Sequence, residues 1–199
     1  MAHYYTDNRN LIENRKDHSF RFSGHLFTFT TDNGVFSKTE IDEGSEILLS
    51  VVSEKQLHGN ILDLGCGYGV IGITLKTLFK DASVTMVDIN PRAVELARIN
   101  CVRNSAPCDC YVSDGFEQIH ETFDHVITNP PIRTGKKVIY GMFEQAYEHL
   151  NPGGALTAVI RRKQGAESAV KKFQEIFGNC TVLERERGFW VIQGIKLTD

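Results

Sequence analysis

Two periods of apolar residues alternate along this chain. Short runs of branched aliphatic residues are followed by longer stretches in which apolar residues recur every three or four positions. The short runs predict buried strands and the long ones helices. Ile47-Leu48-Leu49 and Val51-Val52, after Asp42 and Ser45, predict a helix over about residues 43–56. Asn60-Ile61-Leu62-Asp63-Leu64 predicts a strand, residues 70–79 a helix, and Ser83 to Asp88 a strand. Asn90 then caps a helix with Pro91 in its first position, running to about Arg103. Strands over 108–112 and 123–128 and a helix over about 138–150 come next. Asn151-Pro152-Gly153-Gly154 breaks that helix, and a strand over 155–160 and a helix over 166–177 follow. Two β-rich runs, 180–186 and 189–197, close the chain around Gly188. Strands apolar on both faces, alternating with helices, predict an α/β fold with a doubly wound, mostly parallel sheet of seven strands. Two consecutive strands joined by a short turn must pair antiparallel, so the last strand runs against the rest.

The first 35 residues follow another pattern and are expected to form an accessory segment ahead of a main domain over 36–199. Phe20 and Phe22 alternate with Arg21 and Ser23, Phe27 and Phe29 with Thr28 and Thr30, and Ser23-Gly24-His25 lies between. This predicts a β-hairpin with one aromatic face. The four rings are expected to pack on the domain; the rival reading is a stacking platform for bases.

Composition narrows the field. Hydrophobic residues at 41% and charged residues at 24% are ordinary for a globular chain, which excludes a disordered one. No apolar run approaches membrane-spanning length and the start lacks a signal pattern, so no membrane partner and a cytoplasmic protein are expected. The five cysteines are not spaced as a disulfide framework, and Cys108-x-Cys110 lacks further ligand pairs, so packed thiols and no metal are expected. The net charge of -3 argues against a protein that coats nucleic acid by charge alone, though not against a local basic rim.

The chemistry gathers where strands end. Val126-Ile127-Thr128 runs into Asn129-Pro130-Pro131-Ile132. Neither proline has an amide hydrogen, so the ladder stops and a stiff loop begins at the carboxyl end of a strand, where open α/β sheets bind ligands. Asn129 and the carbonyl of Pro130 are two acceptors suited to holding an amino group. Asp63-Leu64-Gly65-Cys66-Gly67-Tyr68-Gly69 forms the first strand-to-helix turn. Gly67-x-Gly69-x-x-Gly72, with Asp88 some twenty positions on, also fits a dinucleotide fingerprint. Against that, the turn's first glycine is Gly65, the third position counted from it is Val70, and Asp63 would repel a pyrophosphate but attract an ammonium. Asp88 ends the second strand, placed for ribose hydroxyls, and Asp114, before Gly115, for an adenine amino group.

In that order, Asp63-x-Gly65-x-Gly67-x-Gly69, Asp88, Asp114 and Asn129-Pro130-Pro131-Ile132 resemble the class I S-adenosylmethionine-dependent methyltransferases. Gly34-Val35-Phe36-Ser37, Asp42-x-Gly44-Ser45 and Leu48-Leu49 further resemble the ribosomal-RNA small-subunit methyltransferase C group. The resemblance implies a Rossmann-like methyltransferase fold and S-adenosylmethionine held by Asp63, Gly65, Cys66, Gly67, Asp88, Ile89, Asp114, Gly115 and Asn129. It implies methylation of an exocyclic nitrogen, guanine N2 of small-subunit (16S) ribosomal RNA, at Asn129, Pro130 and Pro131. Phe36, Lys38, Ile132, Arg133, Lys136 and Lys137 are assigned to the RNA substrate or ribosomal subunit, and Arg161, Arg162 and Lys163 to the same basic rim. The fourth motif position, often aromatic in the wider family, is Ile132 here. Other readings are a methyltransferase acting on a protein glutamine or small amine, an NAD-dependent oxidoreductase, and a non-catalytic RNA-binding module of the same fold. The sequence leaves the target nucleotide and the oligomeric state open.

Overall fold

A computed structural model describes residues 14–33 and 41–198, with Arg133 described for its backbone. Phe36 and Lys38, expected on the substrate side, lie outside the described residues. The elements are β1 (Lys16–Phe22), β2 (His25–Thr31), α1 (Glu43–Ser53), β3 (Asn60–Leu64), α2 (Val70–Leu78), β4 (Ser83–Asp88), α3 (Pro91–Arg103), β5 (Asp109–Val112), β6 (Phe123–Thr128), α4 (Lys136–His149), β7 (Leu150–Arg161), α5 (Ala166–Phe177), β8 (Thr181–Glu186) and β9 (Phe189–Ile195).

Seven strands form one sheet in the order β5-β4-β3-β6-β7-β9-β8. The pairs from β5 through β7 are parallel, and β9 runs antiparallel to both β7 and β8. This is the expected mostly parallel sheet. The chain builds outward from β3 to β5, then returns to start again at β6, so strand order reverses between β3 and β6. Ligand crevices in such sheets open at that point, beyond the carboxyl ends of the strands.

The sheet separates two apolar layers. Ile61 belongs with α1, α2, α3 and the hairpin, while Leu62 and Leu64 belong with α4 and α5. Local signals start the helices as read: the Asp42 side chain caps α1 through Ser45 N, and Asn90 caps α3 ahead of Pro91. One boundary differs. Residues 151–154 end α4 as expected, but they already lie within β7, which starts at Leu150 rather than at Ala155. Gly153 N donates to Lys196 O (2.7 Å) and Lys196 N to Gly154 O (2.8 Å), so the tail pairs with residues that read as a loop.

The hairpin turns at Ser23 and Gly24, both at positive φ (47° and 79°), as a two-residue turn matching strand twist requires. Phe20, Phe27 and Phe29 are buried in the core and Phe22 packs against it. Burial of these faces favours packing and removes the base-stacking platform. Asn100 of α3 and Asn104, which caps that helix's C-terminal end, hold the hairpin's edge. Asn100 accepts from Thr30 N (2.7 Å) and donates to Thr30 O (3.0 Å), and Asn104 does the same with Thr28 (2.9 Å each). Their amides satisfy an edge that no strand covers among the described residues.

Among the described residues, no helix is long and apolar enough to cross a membrane, and no group of His, Cys, Asp or Glu could hold a metal ion. All five cysteines are free.

Candidate active site

The site is built from four strand ends lying side by side. Parallel register sets Leu64 beside Val87 and Asp88 beside Val112, so the turns after β5, β4 and β3 line up in that order. On the other side of β3, Thr128 Oγ1 donates to Leu64 O at 2.8 Å in a fully buried setting. That bond fixes the distance between the glycine turn and Asn129.

The glycine turn is held by backbone bonds. Gly65 N and Cys66 N both donate to Val87 O (2.9 Å), and Gly67 N donates to Asp88 Oδ2 (2.9 Å). Gly65, at φ 78°, has open space where a Cβ would project, which leaves the main chain approachable. Gly72 does the opposite job: a Cβ there would collide with Met86, so α2 packs closely on β4. The packing glycine of the turn is therefore Gly72, which counting from Gly65 does not find. Burial, with the charges of Asp63 and Asp88 nearby, holds the Cys66 thiol well above the usual thiol range.

Asp63 is 0% exposed. Its Oδ2 accepts from Gly72 N at 2.8 Å, and its Oδ1 has no partner among the described residues. Burial pushes its carboxyl up to about 7; the charge of Asp88 adds to the rise and the Gly72 bond opposes it. An unpartnered buried acceptor beside an open glycine fits the ammonium end of an amino-acid-bearing nucleoside. Asp88 is nearly as buried, with Oδ1 accepting from Asn90 N at 2.8 Å. Ile89 and Val112 beside it are exposed apolar side chains. Asp114 is exposed, and Gly115 turns at φ 54°.

Asn129 is half-buried at the end of β6, and Pro130 is buried. Asn129 Nδ2 donates to Asp42 Oδ2 (2.6 Å) and Ser45 Oγ (3.0 Å). The sequence reads Asp42 and Ser45 as a helix start and as part of the family resemblance, without a role beside Asn129; their contact with Asn129 spans more than eighty positions and carries no local signal. After Pro131, a single 3-10 turn over Ile132–Thr134 leads through Gly135 into α4. Lys136 and Lys137 are exposed in its first turn, where no acidic residue stands. Arg161, the last residue of β7, and Arg162 and Lys163 after it are exposed. Lys136 Cε lies 3.6 Å from where a Cβ on Gly165 would be, which brings the two basic groups to the same edge.

Residues 26–193 match the family model of the methyltransferase small domain. The uncharacterized protein YbxB of Bacillus subtilis (strain 168) is 43% identical over 198 residues, covering 98% of each chain. Ribosomal RNA small subunit methyltransferase C of Haemophilus influenzae (strain PittGG) is 43% identical over 130 residues, 63% of this chain and 39% of the relative. The chain thus spans well under half the length of that relative. The solved structure of the T. thermophilus 16S rRNA N2 G1207 methyltransferase RsmC, in complex with AdoMet and guanosine, is similar with a TM-score of 0.84 and 26% identity, covering 92% of this chain and 50% of that one.

Proposed function

The chain belongs to the methyltransferase small domain family and is an S-adenosylmethionine-dependent methyltransferase, and we propose that it methylates an exocyclic amino group, guanine N2 of small-subunit ribosomal RNA. The observation that carries this reading is Asn129: its amide nitrogen is tied back to Asp42 and Ser45, and its oxygen has no partner among the described residues. Similarity to ribosomal RNA small subunit methyltransferase C and to a 16S rRNA N2 G1207 methyltransferase supports the substrate.

When bound, S-adenosylmethionine supplies a methyl group already activated by its sulfonium. Asp63 Oδ1 would hold its ammonium and Asp88 its ribose hydroxyls, and Ile89 and Asp114 would flank its adenine. A guanine amino group is a poor nucleophile because its lone pair is conjugated with the ring. Asn129 Oδ1 and the Pro130 carbonyl accept its two hydrogens and orient the lone pair towards the methyl group. As the nitrogen turns tetrahedral and positive, both acceptors bind it more strongly, which is stabilisation selective for the transition state. A paired guanine must leave its stack to reach them.

The test is transfer of tritiated methyl groups to small subunits, free ribosomal RNA and protein fractions, followed by nucleoside analysis. The expected product is N2-methylguanosine. Asn129→Ala should cut turnover by about a hundredfold or more while cofactor affinity stays within a few-fold. Label found only in protein overturns the RNA reading, and a rise in the Michaelis constant with turnover intact overturns the role of Asn129.

A further inference from the structure

The Asn129 amide is held from one side. Asp42 Oδ2, which accepts from Asn129 Nδ2 at 2.6 Å, also accepts from Ser45 N at 3.0 Å. One carboxylate oxygen therefore caps α1 and anchors the residue at the end of β6. An ionised carboxylate has no hydrogen to donate. Turning the amide over would set two acceptor oxygens 2.6 Å apart, so the nitrogen must face Asp42 and the oxygen must face away from α1. Gly44 keeps the space clear: a Cβ there would lie 3.1 Å from Asp42 Oδ2 and 3.0 Å from the Phe189 ring. In Asp42-Glu43-Gly44-Ser45, the aspartate anchors, the glycine gives room and the serine adds a second acceptor.

We propose that Asp42, seconded by Ser45, is a positioning residue that locks the Asn129 amide with its oxygen towards the acceptor substrate, so that the site selects a hydrogen-bearing amino nitrogen over a group that only accepts. This rests on the role given to Asn129 above. Were the amide free to turn, half of its orientations would present N–H groups to the substrate and repel an amino group.

Asp42→Ser tests this, because serine keeps an oxygen for the helix cap but is too short to hold Asn129 in the same place. Three readouts are combined: methyl transfer to small-subunit ribosomal RNA, S-adenosylmethionine affinity by calorimetry, and the side-chain amide signals of Asn129 in ¹H–¹⁵N spectra, assigned by their loss in Asn129→Ala. Asp42→Ser should lower kcat roughly thirtyfold with the cofactor KM within about threefold, and Asp42→Asn, which keeps an acceptor, should recover much of it. Asp42→Ser combined with Asn129→Ala should be no slower than Asn129→Ala alone, since the first acts through the second. The Asn129 amide signals should shift in Asp42→Ser. Parental kcat in Asp42→Ser, with Asn129→Ala inactive, overturns the lock and leaves the function standing. Fully additive losses overturn it too. If Asn129→Ala keeps parental turnover, or the parent methylates no RNA, the proposed function fails and the spectrum decides: unchanged amide signals in Asp42→Ser overturn the lock, and shifted signals support it.

Discussion

Asp63 holds a carboxyl group away from solvent with, among the described residues, a single hydrogen bond on one oxygen. Its place at the turn is plain in the sequence; its burial is not, because that depends on α2 closing over it through Gly72. The cost has a definite sign. Burial pushes the carboxyl up to about 7 in the folded chain, well above its ordinary value of 3.8. Between those values the folded state keeps a proton that the unfolded state has lost, so stability falls as pH rises from about 4 to 7 and levels off above. The slope from this one group is at most about 1.4 kcal/mol per pH unit. Asp63→Asn keeps an acceptor for Gly72 and cannot ionise. Urea unfolding should find the variant more stable than the parent at pH 8 and no more stable near pH 4. An identical difference at both pH values would show that Asp63 carries no such burden.

At the scale of elements, Asn100 joins three of them. It is 0% exposed on α3, grips Thr30 of β2, and donates to Tyr68 O in the glycine turn at 2.9 Å. Asn100→Ala leaves buried backbone groups of both unpaired and should cost roughly 3 kcal/mol or more in chemical denaturation, while Asn104→Ala, half-buried, should cost about 1. Equal, small losses would mean that water replaces both amides. This contact also marks where sequence reading stops. Helices and strands were legible because their periods are local, and Asp42, Asn90 and Pro91 announce helix starts within a few residues. The sheet's antiparallel end followed from two strands sharing a short turn. Asn100 with Thr30, and Asp42 with Asn129, join positions seventy and eighty-seven residues apart, and only the folded chain brings them together. The start of β7 was missed for the same reason: its glycines read as a break until Lys196 pairs with them.

Across the whole molecule, charge is uneven. The chain carries a net -3, yet Lys136, Lys137, Arg161, Arg162 and Lys163 stand exposed at the edge that holds Asn129. Lys136 and Lys137 lie in the first turn of α4, the positive end of the helix dipole, where cations are unfavourable by themselves. An anion at that edge would relieve both. Phosphates beside the acceptor nucleotide meet this description, and their contacts would position the RNA without identifying the base. Changing Lys136, Lys137 and Lys163 together to Ala should weaken RNA binding about tenfold or more at low salt and flatten its salt dependence, each lost phosphate contact lowering the logarithmic slope by roughly 0.7 to 0.9. S-adenosylmethionine affinity should stay unchanged, because none of the three belongs to the turns after β3, β4 or β5. Binding measured across a salt series decides the matter. A triple variant with the parental slope would remove the basic rim, and it would turn the search for the acceptor towards a protein amide or a small amine.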